Sequence, residues 1–196
     1  MPARGQRGFS LIETLVSLAV LLLLLTALAS LMVQNGKMNR SEQMTAQVQA
    51  SARNCLTMIV QPLRGAGWDP VNAGIGTVVL DSDPADDVAE IEVLADLDED
   101  GATDGVGEQV LIRHVDDRVV WRLSNDVNQP FVVLASGITN DADGDGTIEP
   151  MFVPDSLITP SRITVRITAR SPAPDPVTGE FIRYTVASDV TLRKTL

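Results

Sequence analysis

Gly8-Phe9-Ser10-Leu11-Ile12-Glu13 opens an apolar run that reaches Val33, and Glu13 is the only charged residue inside it. A carboxylate in hydrocarbon costs roughly 2.5–3.5 kcal/mol on insertion scales. A chain that needed only an anchor would carry Leu or Ala there. The residues before Phe9, Met1-Pro-Ala-Arg-Gly-Gln-Arg-Gly8, hold Arg4 and Arg7 and have no apolar region. A cut after Gly8 leaves a free ammonium on Phe9, and helix positions i and i+4 share one face. Proteolysis therefore supplies a cation able to neutralise Glu13, within one chain or between stacked neighbours.

Together with the apolar run that follows, these six residues resemble the class III signal of type IV pilins and type II secretion pseudopilins. The resemblance implies that residues 1–8 are a leader and that a prepilin peptidase cuts between Gly8 and Phe9. The new amino terminus of Phe9 is then methylated, and Glu13 positions the subunit during filament assembly. It implies a single pass of the inner membrane with the head in the periplasm, followed by incorporation into a filament at the cell surface. The partners it brings are the prepilin peptidase, other pilin or pseudopilin subunits, the inner-membrane assembly platform and, before assembly, membrane lipid. Simpler readings fit less well. A secretory signal has a shorter apolar region that ends in a small-residue cleavage site; this run of about 25 residues is too long for that, and no such site follows it cleanly. A plain anchor explains the length of about 25 residues but not Glu13. A lipoprotein needs a cysteine at the end of the run, and Cys55 lies far beyond it.

Composition narrows the rest. The net charge of −11 disfavours nucleic acid as the main ligand, because phosphate repels it. A single cysteine forms no internal disulfide, and Cys55 falls on a helical apolar stripe as a small core residue. Arg4 and Arg7 before the run are balanced by Lys37 and Arg40 after it. Orientation therefore comes from the resemblance rather than from the positive-inside rule. One His and one Cys make no Ser/His/Asp or Cys/His constellation, and no glycine-rich phosphate loop with a lysine is present. No enzyme is expected. His114, Trp68 and Trp121 read as structural.

The spacing predicts an α+β, pilin-like chain. Met44, Val48, Ala52, Cys55 and Ile59 recur at helical intervals, so residues 34–64 continue the apolar segment 9–33 as an amphipathic half. Pro62 and Gly65-Ala66-Gly67 end the helix, and Gly36 is a weak point within it. Many major pilins carry a kinking proline in the first half of this helix; none lies between Phe9 and Gln61. Residues 65–196 read as a head built on an antiparallel sheet. Strands are predicted around Glu90–Val93, Gln109–His114 and Arg118–Leu123 (a hairpin about Asp116-Asp117), Phe131–Leu134, Arg162–Arg170 and Phe181–Leu192. Ser171 to Glu180, with three prolines, makes the last connection. This last strand pair resembles minor pilins of the PilW type. Arg162, Arg166 and Arg170 share the polar face of one strand, suited to an acidic face of a neighbouring subunit.

Two acidic loops repeat one pattern. Asp96, Asp98, Asp100, Ala102 and Asp104 occupy positions one, three, five, seven and nine of the first, with Gly101 at six. Asp141, Asp143, Asp145, Thr147 and Glu149 repeat this in the second, with Gly146 at six. Alternate carboxylates, a glycine for the sharp turn and a carbonyl at seven suit a hard cation such as Ca²⁺ in a structural role. Neither loop has the bidentate glutamate at position twelve, where Gly107 and Phe152 stand. The bland alternative is a solvated acidic turn. The function this supports is a minor type IV pilin precursor. Its alternatives are a J-type minor pseudopilin of a type II secretion system and a single-pass, calcium-stabilised surface binding protein.

Overall fold

The computed structural model describes residues 10–80, 89–123, 128–157 and 159–193. The expected leader, residues 1–8 with Gly8 at its end, and Phe9 lie outside the described residues. A single helix, α1 (Leu11–Gly65), spans 55 residues, a rod of about 82 Å at 1.5 Å per residue. Ser10 caps it in an extended conformation, and the Thr14 N–H donates to the Ser10 carbonyl at 3.2 Å. The helix runs unbroken through Gly36, whose missing side chain faces open space. With no proline between Leu11 and Pro62, nothing removes a ladder hydrogen bond in that stretch.

Pro62 lies inside the last turn and the chain stays helical to Gly65. Leu63 and Ala66, both fully buried, anchor that turn in the core and offset the one ladder bond proline removes. Ala66 then leaves helical geometry, and Gly67 at φ +72° turns the chain, its N–H donating to the Leu94 carbonyl at 2.8 Å. A Cβ on Gly67 would also come within 2.6 Å of Thr77 Cγ2, so space and backbone both require glycine.

Every residue from Ser10 to Arg40 is exposed, and burial begins at Ser41. The first part of α1 is long and apolar enough to cross a membrane. Beyond it, Val48, Ala52, Cys55, Ile59, Val60 and Leu63 form one buried stripe, with Met44 half-buried at its start.

The head holds two antiparallel sheets rather than the one expected. β1 (Val78–Leu80), β2 (Ala89–Leu94), β3 (Gln109–Val115), β4 (Arg118–Arg122) and β5 (Val132–Ser136) form a meander in chain order. β6 (Phe152–Pro154), β7 (Arg162–Pro174) and β8 (Phe181–Thr191) form the second sheet, with β7 central. An isolated bridge from Ile138 to Ala169 joins the two where the chain leaves β5. Alternation on β7 sends Ile163, Val165 and Ile167 inward, each fully buried. They meet the helical stripe together with Ile91 and Val93 of β2, Val110 and Ile112 of β3, and Val119 of β4. Each such side chain contributes about 1.5–3 kcal/mol by leaving water, so one continuous core fixes the head on the helix.

The proline-rich connection is shorter than expected. β7 continues to Pro174, with a register shift between Arg170 and Pro174, and the chain reverses only over 175–180. Pro172 and Pro174 are exposed on that stretch, where no ladder donor is needed. The buried Asp175 organises the turn: its carboxylate accepts from the Val177 N–H at 3.1 Å and the Thr178 hydroxyl at 3.1 Å. The Val177 N–H above all, with Ser41 of α1 and Thr178, holds the Asp175 carboxyl below its usual range.

Candidate functional site

Glu13 lies in the first turn of α1, exposed, as the acidic residue nearest the helix N-terminus. Unpaired N–H groups and the macrodipole make that turn a favourable place for a carboxylate. The side chains one to three turns on, Val16, Leu21 and Leu24 among them, are exposed and apolar. Among the described residues before Lys37, Glu13 is the only charged one, at the head of an exposed apolar rod.

The first acidic loop follows β2. Its N–H of Asp96 donates to the Trp68 carbonyl at 2.8 Å, just past the end of α1. Asp96 is fully buried, and its carboxylate accepts from the N–H groups of Glu99 at 2.7 Å, Asp100 at 3.2 Å and Gly101 at 3.0 Å. Asp98 Oδ1 faces the Asp100 N–H at 3.3 Å, and Asp100 Oδ1 accepts from the Ala102 N–H at 2.8 Å. Asp104 is exposed.

Sequence reasoning missed Glu108. It stands one residue beyond the closing position of the repeat, yet it is buried and folds back over the loop. Its Oε1 accepts from the N–H groups of Leu97 at 2.7 Å and Asp98 at 3.0 Å, and its Oε2 from Gly105 at 2.7 Å. Asp96, Asp98 and Glu108 each bring a carboxylate oxygen within 4.8 Å of the other two. The N–H of Asp98, then those of Leu97 and Gly105, hold Glu108 below the usual carboxylate range against its desolvation. Desolvation and the charges of Asp100 and Glu108 push Asp98 upward. The signal was present in the sequence as an acid at position thirteen, and only the three-residue turn 105–107 brings it back.

The second loop follows Asn140, which the sequence reading also passed over. Asn140 is fully buried at φ 45°, a conformation asparagine tolerates better than most residues. Its Nδ2 donates to the carbonyls of Glu149 and Arg166, both at 3.1 Å, and its Oδ1 accepts from the Thr168 N–H at 2.9 Å. This closes the loop at its base and fastens it to β7. Asp141, Asp143 and Asp145 cluster within 4.8 Å, whereas Glu149 is not part of the cluster. The Gly144 N–H donates to Asp141 at 2.6 Å, and the Thr147 N–H donates to Asp145 at 2.6 Å, a bond that lowers the Asp145 pKa.

Two of the three arginines of β7 have local partners. Arg162 lies 3.9 Å from Asp189, Arg170 stacks on the Phe181 ring at 4.9 Å, and Arg166 is exposed. His114 is buried with Nε2 2.7 Å from the Ile138 carbonyl oxygen, so that nitrogen carries the proton and the residue braces the crossing between sheets. Trp68 lies under the Arg193 guanidinium at 4.4 Å beside the first loop. Trp121 packs half-buried against the core.

A long N-terminal apolar helix carrying a two-sheet antiparallel head is an α+β, pilin-like fold. Residues 3–29 match the prokaryotic N-terminal methylation motif, the class III signal of type IV pilins and pseudopilins. The matched segment contains Gly8, Phe9 and Glu13 and ends within the apolar half of α1. No curated protein and no solved structure gives a significant match.

Proposed function

We propose that the chain is the precursor of a minor type IV pilin. The observation that carries this is the methylation motif at the head of a helix that is fully exposed to Arg40 and becomes the buried spine of the head from Val48. One half of the rod is built for a lipid bilayer and later for a bundle of like helices; the other half is committed to the head. Prepilin peptidase cleaves between Gly8 and Phe9 and methylates the new amine. Before assembly the apolar half holds the subunit in the inner membrane with the head in the periplasm. In the filament, Glu13 pairs with the amino terminus of a neighbour. An unkinked helix and two long acidic loops favour a specialised subunit over a bulk one.

Ca²⁺ is the ion the first loop suits. Asp96 and Glu108 are buried carboxylates, and among the described residues neither forms an ion pair. Buried charges are ordinarily paired or bound to a metal. A hard cation held by oxygen atoms of Asp96, Asp98 and Glu108 would relieve the repulsion that raises Asp98. Its role would be to fix the loop against the end of α1.

The pilin reading is tested with Glu13→Ala in the producing cells. The variant should be cleaved and methylated like the parent, yet enter sheared filaments at a small fraction of the parental level. Normal incorporation would remove Glu13 from the mechanism.

A further inference from the structure

The two acidic loops share a sequence pattern but not an electrostatic solution. We propose that Arg183 is the resident cation of the second loop, so that the chain itself closes this loop while the first alone depends on an added cation. The part concerning the first loop rests on the calcium reading above; the part concerning Arg183 does not.

No Lys or Arg lies between Arg64 and Arg113, and the carboxylates of the first loop are met by backbone N–H groups. The nearby Arg193 is drawn onto the Trp68 ring instead. In the second loop, Arg183 reaches over from β8. Its Nη2 lies 4.0 Å from Asp141 Oδ2, with both side chains largely buried. A Cβ built on Gly144 would lie 2.7 Å from each of Arg183 Cζ, Nη1 and Nη2. Equal distances to three atoms of one plane mean that the guanidinium lies flat against the loop backbone, in space only a glycine leaves open. Gly144 is also at φ +86°, which favours glycine a second time.

The neighbouring charges are arranged consistently. Arg170 stands directly across the ladder from Arg183, and its guanidinium is held on the Phe181 ring, away from the loop. Asp141 accepts the Gly144 N–H on Oδ1 and faces the Arg183 guanidinium across 4.0 Å on Oδ2. A metal bound by Asp141, Asp143 and Asp145 would compete with the guanidinium for that same carboxylate.

The test is hydrogen exchange by mass spectrometry on the full chain in detergent micelles, first with a chelator present. Arg183→Gln should speed exchange in 141–149 by about two- to fivefold, the range of a single partly exposed ion pair. Exchange in 96–108 should not change, and Arg183→Lys should restore most of the protection. Unchanged exchange in 141–149, or a lysine variant as fast as the glutamine one, overturns the proposal. If Arg183→Gln does not fold, Asp141→Asn removes the same charge pair and keeps the acceptor for Gly144; it should speed the same segment. Ca²⁺ is then added. The parent should gain protection in 96–108 only, and Arg183→Gln should gain it in 141–149 as well. Equal Ca²⁺ protection of both loops in the parent overturns the proposal. Protection of neither loop sinks the calcium reading, while the chelator experiment still decides the role of Arg183.

Discussion

Replacing Asn140 tests how the second loop is held to the sheet. Asn140→Gly deletes three side-chain hydrogen bonds at a position where glycine accepts the observed φ of 45°. Thr168 is fully buried on β7, so its N–H loses its acceptor with no water at hand. That term costs about 1–3 kcal/mol. The carbonyls of Glu149 and Arg166 belong to a half-buried and an exposed residue, and replacing Nδ2 there by water costs about 0.5 kcal/mol each. The expected loss is about 3 kcal/mol, a factor of about 100 in the folding equilibrium. Asn140→Ala adds the penalty of a left-handed backbone, about 1 kcal/mol more. The assay is urea unfolding of the full chain in micelles, followed by the fluorescence of Trp68 and Trp121. Two results would refute the reasoning. One is a loss below about 1 kcal/mol in both variants, less than one buried hydrogen bond is worth. The other is an alanine variant more stable than the glycine one.

Three further outcomes are expected. Glu108→Gln should abolish any Ca²⁺-dependent rise in melting temperature, whereas Asp104→Asn, exposed and outside the cluster, should leave most of it; the reverse order would restore the plain nine-position pattern. Asp155 is held at a pKa of about 2 by the Ser161 hydroxyl and the N–H groups of Arg162 and Ser161. Because its folded pKa lies below the usual value near 4, its stabilisation is present above about pH 4 and is lost as the pH falls toward 2. Asp155→Asn should therefore lower stability at neutral pH and flatten the acid limb of a melting curve; an unchanged limb would contradict this. Burial pushes the Cys55 thiol up to about 12, so a thiol reagent at pH 8 should leave the native chain unmodified and label it fully in denaturant.

Much of the fold was legible because its signals are local. The helical stripe from Met44 to Ile59 and the alternation from Arg162 to Arg170 each follow from a repeat of side-chain type, and both elements stand where expected. What escaped depends on distant partners. The second loop is fastened to the second sheet by Asn140, an ordinary loop residue in sequence, whose bonds reach Arg166 and Thr168. The acidic loops were visible as a repeat, yet what distinguishes them was not. Glu108 sits one place past the pattern, and Arg183 is on the last strand, so neither registers until the turn 105–107 and the β7–β8 register are known.

The central claim is that Glu13 is tolerated because a cut makes its partner, which places the chemistry at Gly8 and Phe9 within the matched motif. Mass spectrometry of the amino terminus of the mature protein, taken from cells with an active prepilin peptidase, tests it most directly. The account predicts a chain that begins at Phe9 and carries one added methyl group on its amine. A mature chain that still begins at Met1, or one cut anywhere but before Phe9, contradicts it.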